Sequence, residues 1–252
     1  MNPTDGCATQ FMSLETRFNS PDRPTNDLLT TAKVEMLGLP VTRTPLAAHA
    51  EGSTFTFQSQ ARMTDVKDLK IACIGWGSLV WDPRSLSFHG DWNMDGPLLP
   101  VEFARESDGS KITLVICPDV PRVSTRWVHL KATTMEAAKR NLGLREYAKA
   151  GPRWIAEKIG YWAREGDARS GSEAETIATW AEAQKLDGVV WTDLKFGFKA
   201  SPGSVPSGEQ IGAYLSALPD NEREEAERYV RRAPIEVDTP NRRLIAQALD
   251  WR

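Results

Sequence analysis

The stretch Ile71-Ala72-Cys73-Ile74-Gly75-Trp76-Gly77-Ser78-Leu79-Val80-Trp81 decides how this chain is read. Ile71 to Ile74 are largely apolar and predict a short strand with no polar face. The strand runs into Gly75-Trp76-Gly77-Ser78, where two glycines permit a sharp turn and leave main-chain N–H groups unshielded. A strand ending in such a loop is a device for holding an anion or a carbonyl oxygen, here through Gly75, Trp76, Gly77, Ser78 and Leu79. The pattern is not the G-x-G-x-x-G dinucleotide fingerprint, because Val80 takes the third glycine position and no helix is expected to follow. It is not G-x-S-x-G either, since Ser78 directly follows a glycine and no His/Asp partners stand out.

Upstream of this strand the chain changes character. All nine tryptophans lie beyond residue 67. Large aromatics dominate core burial, so the main core is expected to begin near Asp68. Residues 1–67, rich in Thr, Ser, Pro and Asn, are expected to form an extension that is poorly ordered or draped on a single domain covering 68–252.

At 252 residues the chain can bury a sizeable core. A net charge of -3 gives no electrostatic case for nucleic acid or anionic membrane as partner. No apolar run approaches the ~20 residues needed to span a bilayer, and no signal-peptide pattern opens the chain, so a cytoplasmic location is expected. Cys7, Cys73 and Cys117 form no disulfide framework or zinc spacing, and His49, His89 and His129 are isolated. Neither a metal nor another cofactor is expected. The sequence sets no oligomeric state.

Downstream, Leu98–Arg105, Ile112–Cys117 and Arg126–Ala132 read as strands, with the turn-rich loop 89–97 before them. Thr133-x-x-Glu136 is a capping-box signature for a helix to about Ala148, and Pro152–Trp162 reads as a further helix or turn. Ser172-x-x-Glu175 marks another helix to about Lys185. A buried strand follows over Asp187–Leu194, then a loop to Pro206. Three helices close the chain, capped at Ser207, at Asp220 and at Asp238 or Thr239.

On the first long helix Met135, Ala138, Leu142 and Glu146 share one face. Burying an ionised carboxylate is costly, so Glu146 is either exposed or ion-paired, or else a desolvated group poised for proton transfer. Arg105, at a strand end, is either a structural ion-pair partner or an anchor for a substrate carboxylate. Asp193 is read first as a loop or cap residue. A hydrolase built on Cys73 or Ser78 would need a histidine beside it.

Gly75-Trp76-Gly77-Ser78-Leu79-Val80-Trp81-Asp82-Pro83 resembles the glycine loop of the γ-glutamylcyclotransferase superfamily, in particular its ChaC-type branch. Ala137-Ala138-x-x-x-Leu142-x-x-Arg145-Glu146 is similar to that branch's R-E helix, and Val101-Glu102-Phe103-Ala104-Arg105-Glu106-Ser107 to its F-x-R-x-S strand end. The likeness covers Lys70 to Tyr147. Trp76 replaces the usual loop tyrosine, and Ala150-Gly151-Pro152 stands where glutathione-specific members carry G-G-Y. The resemblance implies an α+β fold with a small mixed β-barrel-like sheet flanked by helices, here with an added C-terminal helical section. It implies an enzyme converting a small-molecule γ-glutamyl amine or peptide to 5-oxoproline and free amine. Glu146 would be the general acid/base, and Gly75–Leu79 with Arg105 would bind substrate. The alternative is a non-catalytic member of the same fold that binds a small acidic ligand or a partner's carboxylate.

Overall fold

The computed structural model describes residues 68–251. The expected extension over 1–67, with Cys7 and His49, lies outside the described residues. The described chain is an α+β fold of several sheets and seven α-helices.

Strand β1 (Ile71–Gly75) is buried along its whole length, because it is central in a six-stranded sheet covered on both faces. It pairs in parallel with β10 (Gly188–Thr192) and antiparallel with β7 (Arg126–Leu130). Beyond β7 lies β2 (Phe88–Asn93), and beyond β10 lie β8 (Ile159–Ala163) and β9 (Ala168–Ser170). A second sheet of four strands places β4 (Val101–Glu106) between β5 (Ile112–Ile116) and β11 (Gly197–Phe198), with β12 (Ser201–Pro202) at its edge. The strands β3 (Leu98–Leu99) and β6 (Val123–Ser124) form a small ladder of their own. No closed barrel forms among the described residues, so the barrel-like sheet expected above is replaced by these separate sheets.

Side-chain alternation explains the layering. Ile71 and Cys73 face a core shared with α2 (Met135–Glu146), which includes Ala138 and Leu142. Ala72 and Ile74 face the larger core, with Phe103, Leu114, Trp162 and Trp191. That core is completed by α4 (Ala174–Ala183), α5 (Gly208–Ser216), α6 (Asp220–Arg232) and α7 (Pro240–Leu249). The buried carboxylate of Glu102 ties β4 to the start of α7. It accepts from Phe103 N–H at 2.7 Å, Asn241 N–H at 3.1 Å and the Thr239 hydroxyl, while burial pushes its carboxyl above the usual range.

Several boundaries differ from expectation for local reasons. Pro100 has no N–H to donate, and the run 98–105 breaks there into β3 and β4, which join different sheets. The loop 89–97 contains most of β2, an exposed edge strand whose polar side chains hide its pairing with β7. Thr134, not Thr133, caps α2, accepting from Ala137 N–H. The segment 152–162 divides into α3 (Pro152–Lys158) and β8, because Gly160 must pack flat against the Trp191 indole inside the sheet. Glu173, in a left-handed conformation, precedes α4, so Ser172 is not its cap. Pro219 holds the cap position of α6, with Asp220 its first residue. The capping box at Ser207 and Gln210 forms as expected, and Thr239 caps α7.

Candidate functional site

β1 ends at Gly75, and a one-turn helix, α1 (Ser78–Trp81), follows where no helix was expected. Neither glycine of the loop takes a left-handed φ; each is there for close approach instead. A Cβ on Gly75 would meet the Trp92 ring at 2.9 Å, and one on Gly77 would meet the Tyr229 hydroxyl at 2.8 Å. Trp76 turns inward and is 3% exposed. Its indole N–H donates to Leu114 O at 3.3 Å, pinning the loop to β5. The Gly77 and Leu79 N–H groups have no acceptor among the described residues.

Glu146 is the last residue of α2. The helix dipole is unfavourable to a carboxylate at that end, and the compensating charge comes from its neighbour. Arg145, only 2% exposed, donates to Glu146 Oε1 at 2.6 Å. The same guanidinium donates to Asp82 O at 2.5 Å and to Ser78 Oγ at 3.4 Å. One buried cation therefore ties the acid to both ends of α1. Glu146 keeps 17% of its side-chain surface exposed.

Glu146, the loop residues Gly75 to Leu79 and Arg105 all line one cavity of about 940 Å³, within the range of small-molecule sites. Arg105 projects into it from β4 and has no carboxylate partner among the described residues; its carbonyl accepts from the Thr113 hydroxyl. Seven Lys or Arg and four Asp or Glu line the wall, an excess of positive charge in a chain whose net charge is negative. The structure thus brings Glu146, the Gly75–Leu79 loop and Arg105 to one cavity.

Other candidates fall away from the cavity. The Asp193 carboxylate accepts from Ser172 N–H at 3.2 Å and serves the loop before α4. Cys73 is buried beneath α2, and desolvation drives its thiol far above the usual range. Cys117 is likewise pushed up to about 12 by burial. Both are therefore unsuited to act as thiolate nucleophiles near neutral pH. Among the described residues no His, Cys, Asp and Glu cluster could hold a metal ion. None of their helices is long and apolar enough to cross a membrane.

Two site residues were not legible in the sequence. Arg145 stands in the R-E motif with no role of its own assigned from sequence, and only the packing of α2 shows it turned inward. Tyr229 reaches the site from α6, and the only sequence signal is that it is the sole aromatic in a highly charged helix. No protein-family model matches the chain, and no curated protein or solved structure matches it.

Proposed function

We propose that the chain is a γ-glutamylcyclotransferase-like enzyme that releases 5-oxoproline and a free amine from a γ-glutamyl amine or peptide. The observation that carries this reading is the meeting of Glu146 and the Gly75–Leu79 loop in one cavity, joined through Arg145. The motif likeness over Lys70–Tyr147 supports it, and the fold kinship implied by that likeness is part of the proposal.

The chemistry asks for few parts. The substrate's α-amine attacks its own γ-carbonyl, forming the ring N–C bond while the carbonyl π pair moves onto oxygen. That pair then returns as the C–N bond to the leaving amine breaks. Because the attack is intramolecular, positioning replaces an enzyme nucleophile. Glu146 takes a proton from the α-ammonium and delivers it to the leaving nitrogen. The ring nitrogen's second surplus proton then passes through Glu146 to the released amine, leaving the lactam with one N–H. Arg145 holds one carboxylate oxygen, Oε1, and so fixes where the other points. The N–H groups of Gly77 and Leu79 and the Arg105 guanidinium, which have no acceptor or carboxylate partner among the described residues, suit the α-carboxylate.

A second reading has one observation of its own. The surplus of cations on the wall also fits a binding protein for a small acidic ligand. The test is a panel of γ-glutamyl amines and peptides, with 5-oxoproline and free amine measured together. Equal release of both products from at least one member is expected. Saturable binding with no product from any member would favour the binding reading.

A further inference from the structure

Ring closure places negative charge on the former γ-carbonyl oxygen, and Glu146, occupied with protons, does not serve it. The side chain that can is on α6, outside the stretch that resembles a known family. The Tyr229 ring is fixed edge-on by Trp81 (centroids 5.4 Å apart, 66° between planes) and by Phe103 (6.2 Å, 89°). Its hydroxyl oxygen accepts from Leu114 N–H at 3.4 Å, and the Ser78 backbone amide adds to that interaction. The oxygen's lone pairs thus face main-chain donors on β5 and α1. The hydroxyl hydrogen has no acceptor among the described residues, and the side chain lines the cavity that holds Glu146.

The absence of a side chain at residue 77 belongs to the same arrangement. The phenol oxygen sits 2.8 Å from where a Cβ on Gly77 would be, so any other residue there would push it aside. Gly77 thus makes room for a hydroxyl. Trp76 brings no hydroxyl of its own, and its indole N–H is spent on Leu114 O.

Resting on the cyclotransferase reading, we propose that Tyr229 is a catalytic hydrogen-bond donor to the oxygen that gains charge as the γ-glutamyl ring closes. The O–H bond stays intact throughout. The phenol stabilises the oxygen while it holds the former π pair and releases it when the pair returns and the leaving amine departs. Burial is the main influence holding the phenol up, to about 12, so it remains a donor across the neutral range.

Tyr229→Phe keeps the ring and removes the donor. On a substrate turned over by the wild type, kcat is expected to fall about 100-fold, the scale for loss of one oxyanion donor, with KM within about twofold. Unchanged kcat, or a raised KM at unchanged kcat, would overturn the role of Tyr229 and leave ring closure intact. A wild type silent across the substrate panel would overturn ring closure itself, and this role with it. Should Tyr229→Phe fail to fold, 3,5-difluorotyrosine at position 229 keeps the shape and sharpens the donor. Its kcat is expected to rise at constant KM, and a kcat equal to that of the wild type would refute the assignment.

Discussion

Replacing Arg145 with methionine would separate the guanidinium's role from that of the acid it holds. Arg145→Met keeps an unbranched chain but removes three hydrogen bonds, to Glu146 Oε1, Asp82 O and Ser78 Oγ. The part-buried Asp82 carbonyl would lose its charged donor, at a cost of about 1 kcal/mol, the low end for an unsatisfied acceptor. Breaking a fully buried ion pair costs about 3–5 kcal/mol, but Glu146 keeps 17% exposure to a water-accessible cavity and would recover much of that by hydration. The two effects together come to about 3 kcal/mol. For a domain of this size that corresponds to a melting temperature lower by about 6–12 °C. The assay is thermal unfolding at neutral pH alongside 5-oxoproline release at a temperature where the variant is folded. Turnover should fall steeply, because Glu146 and α1 lose their common tether. Arg145→Lys, which can satisfy only one or two of the three acceptors, should lie between. A methionine variant that melts within about 1 °C of the wild type and turns over normally would refute the view that this cation organises the site.

Gly77→Ala should damage catalysis through Tyr229. The added Cβ would lie 2.8 Å from the phenol oxygen, and overpacking of this kind costs about 1–3 kcal/mol, so kcat should drop with a modest loss of melting temperature. A Gly77→Ala variant with wild-type kcat would show that the phenol's position is immaterial. Glu236 offers a pH test away from the site. Its hydrogen bond with the Arg126 side chain holds the carboxyl below its usual value, so the stabilisation is present above about pH 4.5 and is lost as pH falls through the lowered value. Glu236→Gln should therefore lower stability by about 1 kcal/mol at pH 7 and by almost nothing near pH 2, and an equal loss at both would contradict the assignment.

The strands that carry the site were legible because burial on both faces leaves an unmistakable apolar run. β1, β5 and β10 are cases of this kind. β2 was not, because an edge strand with exposed His89, Gly90 and Asp91 carries the composition of a loop and gains its pairing only from β7. The split of 152–162 into helix and strand follows from Trp191, a tertiary neighbour that local spacing cannot reveal. At the site, Glu146 stood out because a carboxylate on an apolar stripe breaks the pattern. Arg145 broke none, although it is the more deeply buried of the two. Tyr229 enters the cavity only after α6 folds back across α1, a long-range contact with no local signature.

The central claim is that Glu146 moves the protons of ring closure. Glu146→Gln keeps an oxygen for Arg145 but removes the charge that balances a guanidinium only 2% exposed. The variant should therefore melt several degrees below the wild type, and it is assayed at a temperature where it is folded. On a γ-glutamyl substrate that the wild type converts, the variant should bind but release no measurable 5-oxoproline. A folded Glu146→Gln protein that still forms 5-oxoproline at a rate near that of the wild type would contradict the account.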